Sequence, residues 1–354
     1  MATYEALLMR GGTSRAPFLR GEDLPSDREA LADVLARVMG SGTPLQVDGL
    51  GGGQPTTSKI AVLSRSTRED ADVDYLFGQV DIDERRVDFQ PTCGNILSAV
   101  GPAALEMGLL TPSGEDTVVR VHAVNTGALV DARVRTPSGR VEYEGDTAIA
   151  GVPGTAAPVW LTFRAVVGSK TGALFPTGKR REEIDGAMVS CIDAAMPMIV
   201  MRADDLGITG HETHDELDGN RDLFARFEPL RIEAGRRMGL GDVTQSVIPK
   251  VGLIAPARCD GTVMGRYFMP WKAHPSFAVS GAICVATCVA ASGTVAEGIA
   301  QRDGDEPVVI EHASGQIEVR LDASERSTGP DGFDLRSAAI VRTARKIAAM
   351  TVFA

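Results

Sequence analysis

The sequence predicts an α+β fold made of two similar halves, each a curved sheet around a buried helix. Three observations carry that expectation. First, short segments recur in the same order at an offset of roughly 180–190 residues, as a duplicated unit does. Phe18–Leu24 resembles Val200–Leu206, and Ser58–Leu63 resembles Pro249–Ile254. Cys93–Ala99 resembles Ser280–Ala286, and Asn125–Val134 resembles His312–Leu321. Second, several segments alternate apolar and polar side chains, the pattern of a half-buried strand. Third, Ser280–Ala291 is apolar on nearly every side. A helix of that kind belongs inside a core, wrapped by strands.

The elements follow in order. Ala30–Met39 has helical spacing. Asn95–Met107 does too, and Gly108 stops it. Leu129–Arg135 alternates as a strand, and Gly139–Tyr143 is expected as its return strand after Pro137-Ser-Gly. Gln316–Leu321 repeats the alternation in the second half. The stretch 209–235 is polar and helical in character and is expected as an insertion. The join is expected near Pro176–Lys179. This gives a first half over 1–177, to which 338–354 returns, and a second half over 178–337.

Composition narrows the function classes. The chain of 354 residues is 44% hydrophobic and 23% charged, enough for an ordinary core of two domains. Aromatics are only 5%, so Val, Ile, Leu and Ala must fill that core, and 39 glycines allow many tight turns. The net charge of −11 argues against nucleic acid or an anionic membrane as partner. The longest apolar stretch, near Ala278–Ala291, is too short to span a bilayer. The N-terminus has no secretory h-region. Five scattered cysteines, an odd number, are expected to be free thiols in a reducing, cytoplasmic setting.

Candidate chemistry gathers at a few motifs. Cys93 precedes a predicted helix in Pro91-Thr-Cys-Gly-Asn95. A thiol there meets unpaired N–H donors that favour its thiolate, while Gly94 leaves the backbone open to a ligand. A small buried cysteine is the alternative. Lys59 opens an apolar strand after the glycine-rich Gly51-Gly-Gly-Gln-Pro-Thr-Thr-Ser58, either facing a site or capping a strand at the surface. That loop lacks the Gly-Lys-Ser/Thr ending of a phosphate-binding loop. Arg10-Gly-Gly-Thr-Ser14, with Gly12 and Thr13 at its centre, suits a carboxylate or is simply a tight turn. Arg266 and His274 flank the second apolar helix. His211, Glu212 and His214 lack a third ligand at metal-binding spacing, so no metal is expected. Cys284 and Cys288 share one face of an apolar helix and are expected to pack in the core. No nucleophile elbow and no dinucleotide fingerprint occurs.

Met9-Arg-Gly-Gly-Thr-Ser14, Ser58-Lys59, Cys93-Gly-Asn95 with Ala99-Val-Gly-Pro102, and Val341-Arg-Thr-Ala344 resemble the 2-methylaconitate isomerase (PrpF) family over essentially the whole chain. Asp70–Phe77, Asn125-Thr-Gly127, Cys191-Ile-Asp193 and Gly241-Asp-Val243 look most like its 4-oxalomesaconate tautomerase/isomerase branch. The resemblance implies a diaminopimelate epimerase-like fold: two pseudo-symmetric halves, each a mostly antiparallel sheet around a central helix, with a cleft between the helix starts. It implies a cofactor-independent isomerase that moves a proton or double bond in an unsaturated tricarboxylic keto acid, 4-oxalomesaconate first, in gallate or protocatechuate degradation. The implied partner is a small polycarboxylate, and the fold is compatible with a homodimer. Isomerisation of 2-methylaconitate or aconitate is the second expectation, and a non-catalytic ligand-binding protein the third. Lys59 and Cys93 are the implied catalytic pair. Arg10, Gly12, Thr13, Ser14, Ser58, Gly94, Asn95, Arg266, His274, Ser280 and Gly281 are the implied substrate contacts. Ser280 stands where the epimerases carry a second cysteine, which weakens two-thiol racemisation.

Overall fold

A strand that buries both of its faces needs a partner layer on each side, and the N-terminal strands of this chain have two such layers. The computed structural model describes residues 2–269, 271–302, 304, 306–327 and 329–354. The chain divides into Met1–Phe163 with Val341–Ala354, and Arg164–Ile340.

In the first unit, β1 (Thr3–Gly11), β2 (Ser14–Arg20), α1 (Arg28–Met39), β3 (Lys59–Arg65), β4 (Val73–Val80) and β5 (Val87–Asp88) lead to α2 (Gly94–Leu97) and α3 (Val100–Glu106). β6 (Asp116–Ala123), β7 (Ala128–Arg135) and β8 (Pro158–Arg164) complete it. The sheet runs β1-β2-β3-β4-β6-β7-β8, with β2/β3 and β4/β6 parallel and the other pairs antiparallel. The C-terminal residues 344–353 pair antiparallel with β1. One face carries Tyr4, Leu19, Ile60, Val62 and Val80 against Leu31, Val34, Leu35 and Val38 of α1. Asp27 caps α1 by accepting from the N–H groups of Glu29 and Ala30. The other face wraps α2 and α3, which touch β1 and β2 at one end and β6 and β7 at the other.

The single helix expected over Asn95–Met107 is broken into two. Pro102 has no N–H to bond the carbonyl of Ser98, and the Ser98 hydroxyl donates to the Asn95 carbonyl at 2.6 Å. The expected return strand at Gly139–Tyr143 is absent as well. Ser138 and Gly139 turn through positive φ, and the place beside β7 is taken by β8, with Val134 opposite Val159.

In the second unit, β9 (Glu182–Ile184), β10 (Ala187–Asp193), β11 (Pro197–Arg202), α4 (His214–Gly219), α5 (Arg221–Arg237), β12 (Lys250–Ala255) and β13 (Val263–Phe268) precede α6 (Val279–Ala290). β14 (Val308–His312), β15 (Gly315–Glu325) and the start of β16 (Phe333–Phe353) follow. From β10 to β16 the neighbours are antiparallel, parallel, antiparallel, parallel, antiparallel and antiparallel. That is the sequence of senses from β1 to β8, so the duplication extends to strand direction. α6 is the wrapped helix, against β10, β11, β12, β14 and β15.

Two sequence boundaries shift. The division at 163/164 precedes the expected join because Asp193 of β10 holds residues 169–171. It accepts from Ser169 Oγ at 2.6 Å and from the Lys170 and Thr171 N–H groups at 2.8 and 2.9 Å. At the other end Ala339 and Ile340 still pair with β15. The polar stretch 209–235, expected as an insertion, takes the place of α1. Leu217, Leu223, Phe227 and Leu230 of α4 and α5 cover Val189, Ile199, Val251 and Leu253 as α1 covers its own sheet.

A Cβ on Gly101 of α3 would lie 2.8 Å from Val134 Cγ2 and 3.0 Å from Ala132 Cβ. Intrinsic propensity favours Ala over Gly in a helix by about 1 kcal/mol, whereas overpacking costs about 1–3 kcal/mol. Gly101→Ala is therefore expected to lower the urea midpoint; a raised midpoint would show that the helix is not clasped as described.

Candidate active site

The site of the first unit is built on a close approach between backbones. β1 and β2 meet in a hairpin whose Gly11 pairs with Ser14. A Cβ on Gly11 would lie 2.4 Å from the Asn95 carbonyl oxygen, and one on Gly12 2.2 Å from Asn95 Oδ1. Gly12 also has φ +49°, a left-handed conformation that L side chains rarely adopt. Only glycine lets this turn seat on the start of α2. Asn95 completes the joint: Nδ2 donates to Thr13 Oγ1 at 3.1 Å, and Oδ1 accepts from the Thr13 N–H at 3.5 Å.

Cys93 is the residue before α2, extended at φ −130° and ψ 106°, and half-buried. The first N–H groups of a helical turn have no carbonyl before them to bond, and Gly94 and Asn95 open this turn directly after Cys93. The remaining cysteines differ. Burial pushes Cys191 and Cys284 up to about 12 and Cys288 up to about 11, so all three stay protonated and apolar in character. Cys284 also donates to the Ala194 and Met196 carbonyls at 2.9 and 3.1 Å. Both α6 cysteines pack in the core, as their apolar helix predicts.

Lys59 opens β3 opposite Gln79 of β4. Its Nζ donates to Gln79 Oε1 at 2.6 Å and lies 5.3 Å from the centroid of the Phe77 ring. Gln79 is itself oriented, since Nε2 donates to the Ser58 carbonyl at 2.9 Å and to the Pro55 carbonyl at 3.3 Å. The glycine-rich loop thus fixes the amide that fixes the amine. Strand alternation puts Tyr75, Phe77 and Gln79 on one face of β4, away from the α1 side, which holds Leu76 and Val80. Lys59 is anchored to this row at Phe77 and Gln79. The segment leading to Cys93 is anchored to it by Asn125, whose Nδ2 donates to the Phe77 and Phe89 carbonyls at 2.8 and 2.7 Å.

The other candidates divide into exposed contacts and internal staples. Thr13, Gly94 and Asn95 stand with Cys93 at the turn, and Ser14 is buried beside them. Ser58 is fully buried, with its hydroxyl donating to Gln46 Oε1 at 2.6 Å; it holds the loop. Arg10 Nη1 donates to the Gly12 carbonyl and to Thr343, each at 3.0 Å, which ties the turn to the last strand. Burial, then the nearby Arg345, lowers its pKa. In the second unit Tyr267 is the hub. The His274 ring meets it edge-on at 5.5 Å, the His274 N–H donates to its carbonyl at 2.8 Å, and a Cβ on Gly281 would lie 2.6 Å from its Cε2. Burial lowers the pKa of His274, so the ring favours its neutral form. Arg266 is buried and donates to the carbonyls of Glu212 and Gly265 at 3.1 and 3.0 Å. Ser280 lies in the first turn of α6, half-buried.

Sequence reading gave Gln79 no role and held Asn125 only as part of a motif of the resemblance. Gln79 was available as a polar residue on a strand facing Lys59, but only the register of β3 against β4 makes them partners.

With this geometry in hand, the relatives are informative. The PrpF protein family model matches residues 1–354. The chain is 48% identical over 347 residues to YbhH of Escherichia coli (strain K12), covering 98% of each. It is 45% identical over 341 residues to a 4-oxalomesaconate tautomerase of Pseudomonas putida, covering 96% of this chain and 92% of that one. It is 44% identical over 355 residues to a (4E)-oxalomesaconate Delta-isomerase of Novosphingobium sp. (strain KA1), covering 100% and 98%. A crystal structure of methylitaconate-delta-isomerase superposes with TM-score 0.89 at 33% identity, covering 99% of this chain and 96% of that one. A hydroxyproline epimerase at 16% identity shares the fold, with TM-score 0.53 over 99% and 92%. The chain belongs to the PrpF family of isomerases and has the diaminopimelate epimerase-like fold. Among the described residues no helix is long and apolar enough to cross a membrane.

Gln79→Leu removes the acceptor that holds the Lys59 amine while keeping a side chain of similar length on the same face of β4. Isomerase turnover is expected to fall by roughly tenfold or more, since catalytic proton transfer depends on positioning, with the circular dichroism unchanged. Wild-type turnover in that variant would mean that Lys59 needs no such aim.

Proposed function

We propose that this enzyme interconverts tautomers or double-bond isomers of an unsaturated tricarboxylic keto acid, with 4-oxalomesaconate the first candidate, by proton transfer alone. The observation that carries the reading is a lysine amine held on the inner row of β4 by Gln79, with the segment that leads to the half-buried Cys93 before α2 clipped to the same row by Asn125. Two relatives at 44–45% identity are named for oxalomesaconate, which supports the substrate class.

In this reading Cys93, as thiolate, removes the acidic proton next to the carbonyl. Charge spreads into an enolate or dienolate, and Lys59 returns a proton at another atom, so a double bond moves and nothing else is consumed. A polyanionic substrate favours the charged form of a neighbouring amine, which suits Lys59 to the donor role. Developing negative charge on the substrate oxygen is met by the N–H groups of Gly94 and Asn95. Thr13, Ser14 and Asn95 orient carboxylates, while Arg10 and Ser58 hold the turn and loop that present them. A positioned acid or base is worth about 10²–10⁴-fold in rate. The five free thiols suit a reducing compartment.

A second reading, allylic isomerisation of a methylaconitate-like acid, has support from the superposition on methylitaconate-delta-isomerase. A panel of unsaturated di- and tricarboxylates, followed by ultraviolet absorbance and by NMR in deuterated water, separates the two. Exchange without movement of a carbon–carbon double bond marks keto–enol tautomerisation; a shifted double bond marks the allylic route. Cys93→Ser and Lys59→Ala are each expected to lower turnover by about 10²–10⁴-fold. Near wild-type turnover in both, or binding without any proton exchange in the wild type, defeats the proposal.

A further inference from the structure

A polycarboxylate carries several negative charges, and Lys59 brings one positive charge to it. Arg10 does not supply a second, because it faces the other way. Alternate residues of β1 lie on the α1 side of the sheet, as Tyr4 and Ala6 do. Arg10 continues that row, with its Nη1 on Thr343 Oγ1 at 3.0 Å. Arg15 and Arg345, opposite Arg10 on β2 and β16, share its face.

The opposite face of the C-terminal strand follows the inner helices. Lys346, opposite Met9, donates to Glu106 of α3 at 2.7 Å. Ala344 is buried opposite Gly11, at the place where a Cβ would meet Asn95, Ile96 and Ala99. Arg342 is the next residue on that face. The row therefore runs from the end of α3 back towards the start of α2, which Cys93 precedes. Arg342 is also beside the hairpin turn, since the Gly12 N–H donates to the Thr343 carbonyl at 2.9 Å.

Its charge is unmatched. The buried Arg180 and Arg231 each bind a carboxylate. Half-buried Arg342 donates from Nη1 to the carbonyl of its neighbour Val341 at 2.9 Å, and among the described residues no carboxylate pairs with it. Burial brings its pKa down to about 10, and no negative charge offsets the loss of water. A cation withdrawn from water without an acid beside it is costly. A guanidinium has five N–H donors in a planar fork, so most of them remain for a ligand, and the fork matches a carboxylate.

We propose that Arg342 is a substrate-binding residue that takes one carboxylate of the substrate and so sets a preference for tricarboxylates over dicarboxylates. This rests on the reading of the substrate as a polycarboxylate. Lys59 is then left to the proton, and Thr13 and Ser14 to the remaining carboxylates.

The test uses tricarballylate, a saturated tricarboxylate with no double bond to move. Glutarate and methylsuccinate, each lacking one of its carboxylates, are the comparisons, and binding is read by calorimetry. The wild type is expected to bind tricarballylate about 10–100-fold more tightly than either dicarboxylate. Arg342→Met is expected to lose that excess and to bind one of the two dicarboxylates as the wild type does. Retained preference in the variant overturns the proposal. So does an equal loss for all three acids, which marks a merely structural role, and so does a wild type that binds none of them. Phenylglyoxal labelling of the wild type, read by peptide mass spectrometry, is a second arm that needs no variant. Tricarballylate is expected to protect Arg342 and to leave Arg345, on the other face, labelled as before. An Arg342 that takes no label in the free enzyme, or equal label with and without the acid, counts against an open guanidinium. Tricarballylate held by Arg342 in a protein that isomerises no unsaturated polycarboxylate sinks the functional reading alone. Tricarboxylate turnover with unchanged selectivity in Arg342→Met sinks the role of Arg342 alone.

Discussion

The seat of the Gly11-Gly12 turn on Asn95 is the contact on which the rest of the first unit's site depends. It works because two consecutive residues lack a Cβ, so backbone meets backbone where any side chain would collide. From that contact the hairpin places Thr13, Arg10 reaches Thr343 of the last strand, and the start of α2 is fixed with Cys93 before it. No long-range charge is needed to assemble it. Hydrogen bonds among the turn, Asn95 and Thr343, with the Arg10 guanidinium donating to backbone carbonyls, set the geometry in a place that excludes extra atoms.

The placement of Lys59 and of the Cys93 segment then passes through amides. Gln79 orients Lys59 and is oriented by loop carbonyls; Asn125 clips the Cys93 segment to β4; Gln46, fully buried, accepts from Ser58 and from the Gly53 N–H. Amides suit this work because each offers both donor and acceptor without titrating. Their hold on the site therefore does not change with pH. The cations sort accordingly. Arg231 and Arg180 are buried staples that bind carboxylates and backbone carbonyls inside the second unit, and Arg266 joins them by its carbonyl contacts.

The two units follow one plan and diverge where chemistry would sit. The order of strand senses is shared; the first unit wraps α2 and α3 and the second wraps α6, and the outer face is covered by α1 in the first and by α4 and α5 in the second. At the helix start the first unit has Cys93 and the second has Ser280. The thiol nearest Ser280 in that helix, Cys284, is buried, hydrogen-bonded and held protonated. The two units share the fold, and the candidate pair Lys59 and Cys93 lies in one of them.

Periodicity in the sequence is local and depends on burial, so it determined the fold class, the wrapped helices and the alternating strands. The recurrence of motifs determined the duplication. Motif chemistry singled out Lys59, Cys93 and Asn95, because a thiol before a helix and a lysine opening a strand are legible one segment at a time. Tertiary structure alone decided what depends on register and on the other face of each element. It broke the first helix at Pro102, replaced the strand expected at Gly139–Tyr143 with β8, and made 209–235 the counterpart of α1. It also gave Ser58 and Arg266, expected as ligand contacts, internal partners at Gln46 and at the Glu212 and Gly265 carbonyls, and it revealed what Gln79 and Asn125 hold. Which side chain meets which across a sheet is set by non-local pairing and packing, and neither leaves a mark in the spacing of a single segment.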